Sequence, residues 1–150
     1  MSLDVALRVD EVMRREGSGI FIKRDGWELR EISRDEWDDM CPWHEPTIME
    51  EVTVKRSVFD TNVTHNLTGM AAAAGIYEVV WCPEEVGITK AGDLIAPLER
   101  GIFAMKANPK LFEKRNPPNG WGSYEGFVPW LERYLDACRE YPDAEVSVSR

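Results

Sequence analysis

At 150 residues, 43% hydrophobic and 30% charged, the chain has the composition of one ordinary globular domain, able to bury well over half of its unfolded surface without metals or disulfides. Its longest apolar run falls far short of the ~20 residues a bilayer span needs, and a net charge of −9 argues against nucleic-acid and anionic-membrane partners. Cys41, Cys82 and Cys138 are odd in number and widely spaced, and Asp4, Arg8 and Asp10 interrupt any secretory signal, so reduced thiols and a cytoplasmic location are expected.

Val5, Val9, Val12 and Met13 fall at i, i+4, i+7 and i+8, which predicts an amphipathic helix over residues 2–16 with Gly17 as its stop. Ile20 to Arg24 and Trp27 to Ile32 flank Asp25-Gly26, the chemistry of a two-residue type I′ hairpin. Pairing Arg24 with Trp27 sets Ile22 opposite Leu29 and places Ile20, Ile22, Trp27 and Leu29 on one face. Ser33-Arg-Asp-Glu36 is a capping box for a short helix with Trp37 and Met40 turned inward, ended by Cys41-Pro-Trp-His44-Glu-Pro46. Eight acidic residues against one basic give residues 31–51 a balance of −7. That segment reads as a solvated face or as a surface for a basic partner.

A long strand follows, with Ile48, Val52, Val54 and Val58 alternating with polar residues. Asp60 to Thr64 offers caps for an alanine-rich helix striped by Leu67, Met70, Ala71 and Ala74, with Gly75 as its stop. Tyr77 to Trp81 fits either a helical turn or a short strand. Leu94, Ile95, Leu98, Ile102 and Met105 make another helix face, in which Pro97 requires a start near Asp93 or a kink. Ser123 caps a final helix whose Phe127, Trp130, Leu131, Tyr134, Leu135 and Cys138 form a nearly ideal stripe. Pro142 closes it, and Ala144, Val146 and Val148 alternate as a last strand. The expected fold is α+β: a single domain, 1–150, with an antiparallel sheet (N-terminal β-hairpin, long central strand, C-terminal strand) packed against several helices.

The most specifically encoded stretch is Asn116-Pro-Pro-Asn-Gly-Trp-Gly-Ser-Tyr-Glu-Gly126, whose prolines and glycines define an irregular loop. It carries Trp121 and Tyr124 beside the amides of Asn116 and Asn119, a set that can bind a ligand or plug a corner of the core. A second cluster, Asp60, Asn62, Thr64, His65 and Asn66, stands where a strand gives way to a helix. As a catalytic site, His65 would be general base or ligand with Asp60 orienting it; as scaffold, Asn62 or Thr64 caps the helix. Cys41-x-x-His44 is half a zinc motif without a second half, and no phosphate loop, dinucleotide fingerprint or serine elbow is present, so no metal and no cofactor is expected.

With its Thr61-Asn-Val-Thr-His-Asn66 stretch and the Asn-Gly-Trp-Gly loop followed by Tyr-Glu-Gly, the chain resembles a family of small uncharacterised bacterial and phage proteins over roughly residues 50–150. The resemblance implies one intact domain and carries no activity. Three functional readings stay open. The first is a non-enzymatic accessory or protein-interaction module, its surface combining the 116–124 loop with the acidic segment, with a protein partner or self-association as a homodimer. The second is a small-molecule-binding protein or an enzyme, hydrolase or transferase, with its site at His65, Asp60 and the loop, binding through Asn62, Thr64, Asn66, Asn116, Asn119, Trp121 and Tyr124. The third is an acidic phage-type inhibitor of a basic partner.

Overall fold

Leu3, Val5 and Leu7 alternate with Ser2, Asp4 and Ala6, and in the computed structural model this segment is a strand, β1 (Ser2–Arg14), not the expected helix. The three alternating residues are 0–1% exposed, whereas Val12, assigned to the helical stripe, is 52% exposed. Apolar residues four apart satisfy both periods. The tie is broken by Leu3 and Leu7, which with Val5 make a period of two. The structure describes residues 1–24 and 28–150. Asp25, Gly26 and Trp27, on which the type I′ turn was expected, lie outside the described residues.

The fold is α+β. β1 is the middle strand of a three-stranded sheet, between the long strand β4 (Glu51–Thr64) and the C-terminal strand β5 (Glu145–Ser149). β5 runs antiparallel to β1, with Val5 opposite Val148 and Leu7 opposite Val146. A separate two-stranded antiparallel sheet joins β2 (Ile20–Arg24) to β3 (Glu28–Ile32). The chain divides into two compact units, residues 1–9 with 57–150 and residues 10–56, whose boundaries fall within β1 and β4.

The larger unit holds the hydrophobic core. Its helices are α2 (Thr68–Ala73), α3 (Tyr77–Trp81), α4 (Gly92–Ala107), α5 (Pro109–Glu113) and α6 (Tyr124–Glu140), numbered after α1 of the smaller unit. Leu67, Met70 and Ala71 are buried as the alanine-rich stripe requires, Gly75 takes a left-handed φ of 74° just past α2, and Tyr77 to Trp81 resolves as helix. Helix α4 starts at Gly92 and keeps Pro97 inside it. At Gly101, a Cβ would lie 2.4 Å from Ile76 Cγ2, so only glycine lets α4 approach the α2–α3 turn this closely. Helix α6 buries the whole predicted stripe, and Ser123 Oγ caps it by accepting from Gly126 N–H at 3.1 Å. Arg139–Glu99 at 2.8 Å and Lys106–Glu132 at 2.7 Å tie α6 to α4. Among the described residues, no helix is long and apolar enough to cross a membrane.

In the smaller unit the hairpin register is one residue away from the expectation: Arg24 pairs with Glu28, so Ile22 faces Arg30 rather than Leu29. A one-residue shift exchanges the faces of a strand, and here it sets Ile20 opposite Ile32, both buried. The carboxylate of Glu31 fills a nest of backbone donors: Oε1 accepts from Gly17 N–H at 2.8 Å and Gly19 N–H at 2.7 Å, and Oε2 from Glu16 N–H at 2.9 Å. These bonds, with Arg15 nearby, hold the Glu31 pKa below the usual carboxylate range. Helix α1 (Arg34–Met40) carries the predicted capping box between Ser33 and Glu36. It buries none of its residues: Trp37 is half-buried and spends its indole N–H on His44 O at 2.7 Å, and Met40 is exposed rather than inward. A helix of seven residues presents few apolar side chains on any one face, and here only Trp37 is partly covered.

Two stability predictions follow from buried and nested groups. A carboxylate whose folded pKa lies below its unfolded one stabilises fully above the unfolded value and stops doing so as pH falls through the folded value. Protection of the Glu16, Gly17 and Gly19 amides, measured as exchange relative to the unstructured rate at each pH, is therefore expected to fall between neutral and acidic pH in the wild type, and Glu31→Gln to abolish that pH dependence; an unchanged profile in the variant would exclude the nest as its source. The second concerns Tyr134, fully buried, whose hydroxyl has no hydrogen-bond partner among the described residues. Burial and the neighbouring Cys138 push its pKa up, and burial takes the Cys138 thiol to about 12. Deleting an orphaned buried hydroxyl removes about 1–3 kcal/mol of desolvation cost, so Tyr134→Phe should raise the urea midpoint. A lowered midpoint would show that the hydroxyl is engaged.

Candidate functional site

The buried indoles of Trp81 and Trp130 each bring a donor into the core and require an acceptor there. Trp130 Nε1 donates to Thr61 Oγ1 and Trp81 Nε1 to His65 Nδ1, both at 2.9 Å. The two acceptors belong to the last turns of β4 and the 3-10 helix His65–Leu67 that follows it, so these bonds fix where β4 ends against α3 and α6. Strand alternation does the rest. Thr61 and Val63 face the core, which leaves Asn62 and Thr64 on the other face. Thr64 also serves as the expected cap, its Oγ1 accepting from Asn66 N–H at 3.3 Å, while Asp60 to Thr64 remain strand rather than opening the helix.

The 116–126 loop separates its amides by task. Asn116 Oδ1 accepts from Tyr124 N–H at 2.7 Å, and the Tyr124 hydroxyl donates to Met105 O at 2.9 Å, so both residues anchor the loop to α6 and α4. Asn119 Oδ1 accepts from Trp121 N–H at 3.0 Å, a local turn that presents the indole outward, 71% exposed. Gly122 has φ of +100°, and a Cβ there would stand 2.8 Å from Thr64 Cγ2 and 2.9 Å from Leu67 Cγ. The loop thus sits directly on the end of β4.

The result is an open groove of about 590 Å³ lined by Asn62, Thr64, Asn66, Asn119 and Trp121, together with Met1 and Ser2. Met1 is brought there by its carbonyl, which accepts from His65 N–H at 3.4 Å. Five of the residues singled out in the sequence therefore meet in one place, and among the described residues lining it the only ionisable group is the α-amino group of Met1. His65, Asn116 and Tyr124 do not line the groove. Asp60 lines a neighbouring groove of about 400 Å³ on the outer face of the sheet with Asp4, Arg8, Asn62, Ser147 and Ser149. Asn62 is common to both. Asp60 accepts a short hydrogen bond from Ser57 Oγ, whereas the ring of His65 is engaged by Trp81, with Nδ1 as acceptor and the ring proton on Nε2.

A helix over residues 2–16 gives Ser2 no role, whereas the alternation of Leu3, Val5 and Leu7 places it on the outer face of β1. The bonds Trp81–His65 and Trp130–Thr61 join residues 16 and 69 positions apart and have no local signature. Cys82 and Cys138 are buried, and Cys41 is half-buried at the end of α1. No group of three or more His, Cys, Asp or Glu side chains among the described residues could hold a metal ion. Comparison with protein-family models, with curated proteins and with solved structures gives no match to the chain.

Proposed function

We propose that the chain is a non-enzymatic recognition module that binds its target through the groove between the end of β4 and the 116–126 loop. The observation that carries this reading is Trp121: a large ring held outward by the turn that Asn119 makes, beside the carboxamides of Asn62 and Asn66. Among the described residues, the side-chain amides of Asn62 and Asn66 make no hydrogen bond to the protein. The groups that would carry catalysis are differently employed, His65 by Trp81 and Asp60 by Ser57. The acidic segment supports the inhibitor reading less well. Glu31, Glu36, Asp38, Glu45 and Glu50 are taken up by the backbone nest and by Arg30, Arg34 and Arg15, which makes the segment largely self-satisfied.

Screening a mixed fragment library by the side-chain amide and indole signals of the labelled protein should give hits that move Asn62, Asn66, Asn119 and Trp121 together. Trp121→Ala should lose those hits while keeping its unfolding midpoint within about 0.5 kcal/mol of wild type, since an exposed ring contributes little to folding. Hits that survive in this variant, or that map elsewhere, would exclude the groove.

The seat of the loop can be tested separately. Gly120 and Gly122 both have positive φ, but a Cβ at Gly120 meets open space. Gly120→Ala should cost only backbone strain, about 1–2 kcal/mol, and Gly122→Ala more, because it also forces the loop off Thr64 and Leu67. Equal costs in urea unfolding would show that the contact is loose.

A further inference from the structure

We infer that the ligand of this groove is a neutral carbohydrate, a short oligosaccharide, an assignment that rests on the recognition reading above. Charge narrows the field first. Among the described residues no lining side chain is ionisable and the one charge the lining residues carry is the α-ammonium of Met1, so a polyanion such as a nucleic-acid backbone would find no cluster of counter-charges in the groove.

Hydrogen-bonding capacity narrows it further. A carboxamide accepts through oxygen and donates twice through nitrogen, which matches vicinal hydroxyls that each donate and accept. Asn62 and Asn66 offer this whole inventory, and Asn119, whose oxygen is used by Trp121 N–H, still offers its NH2 group. A sugar ring also has an apolar C–H face, and it needs a flat, rigid, exposed partner. Trp121 is that partner, its backbone held by Asn119 and the loop seated through Gly122. A peptide would require apolar sockets for alternate side chains, and the groove supplies one aromatic ring and Met1 only. The volume of about 590 Å³ lies within the range of small-ligand sites. Through Asn62 the groove meets the polar sheet face of Asp4, Asp60, Ser147 and Ser149, on which further sugar units would find hydroxyl and carboxylate acceptors.

The test is a titration of the isotopically labelled full chain with cellotetraose, maltotetraose, xylotetraose and fully N-acetylated chitotetraose, followed at the Trp121 indole and the Asn62, Asn66 and Asn119 carboxamides. At least one should move all four signals with Kd of about 1 mM or tighter. Trp121→Ala should weaken that binding by about tenfold or more, equivalent to ~1.4 kcal/mol, and Trp121→Phe, which keeps an aromatic face, by less. If no saccharide moves these signals but peptides or other fragments do, the carbohydrate assignment is overturned and the recognition reading stands. If nothing of any class moves them, both fall. Saccharide shifts confined to other residues also overturn the assignment.

Discussion

Two indole N–H groups buried in the core organise the part of this protein that forms the groove. Trp81 and Trp130 fill the space between α3, α6 and the sheet, in a row of rings that continues through Phe127 and Tyr134 to Phe59. Packing alone would leave their donors unsatisfied, at a cost comparable to a lost hydrogen bond. Thr61 and His65 remove that cost, and in doing so they fix the rotation and the end of β4. The outward set, Asn62, Thr64 and Asn66, is placed by the inward one. The loop then closes on this end through Gly122, and Trp121 is carried to its edge.

In this arrangement the histidine that looks most like a catalyst in the sequence accepts the indole N–H of Trp81. Its neighbours in the chain do the facing outward. The same logic divides the loop amides: Asn116 is consumed by the start of α6 and Asn119 is turned toward the groove, although the two residues are chemically identical.

Elements with a local code were readable in the chain: the capping box at Ser33 and Glu36, the stripe of α6 with its Ser123 cap, the alanine-rich α2 stopped at Gly75, and the alternation of β5. Three features were not. β1 was ambiguous because valines four apart serve both a helix and a strand, and only the sheet partners on either side make the strand worthwhile. The hairpin register depends on loop length, and the spacing of apolar residues around it accommodates two registers. The strand continues through Asp60 to Thr64, residues whose cap-forming chemistry argues locally for a helix start, because Thr61 and Val63 gain tertiary partners there. The site residues were legible as a set of amides and rings. Their separation into anchors and groove lining was not, since it is decided by long-range partners.

The smaller unit has a different physical character. Among its described residues the fully buried apolar side chains are Ile20 and Ile32 alone, and the β2–β3 ladder, the Glu31 nest and exposed ion pairs such as Lys55–Asp10 and Arg56–Glu11 surround them. Heat capacity of unfolding and denaturant sensitivity both scale with the surface that unfolding exposes, and the first with its apolar part. Residues 10–56 therefore add less to the heat capacity than the unit that carries the groove. Salt, which screens exposed charges and leaves apolar burial intact, acts chiefly on the other.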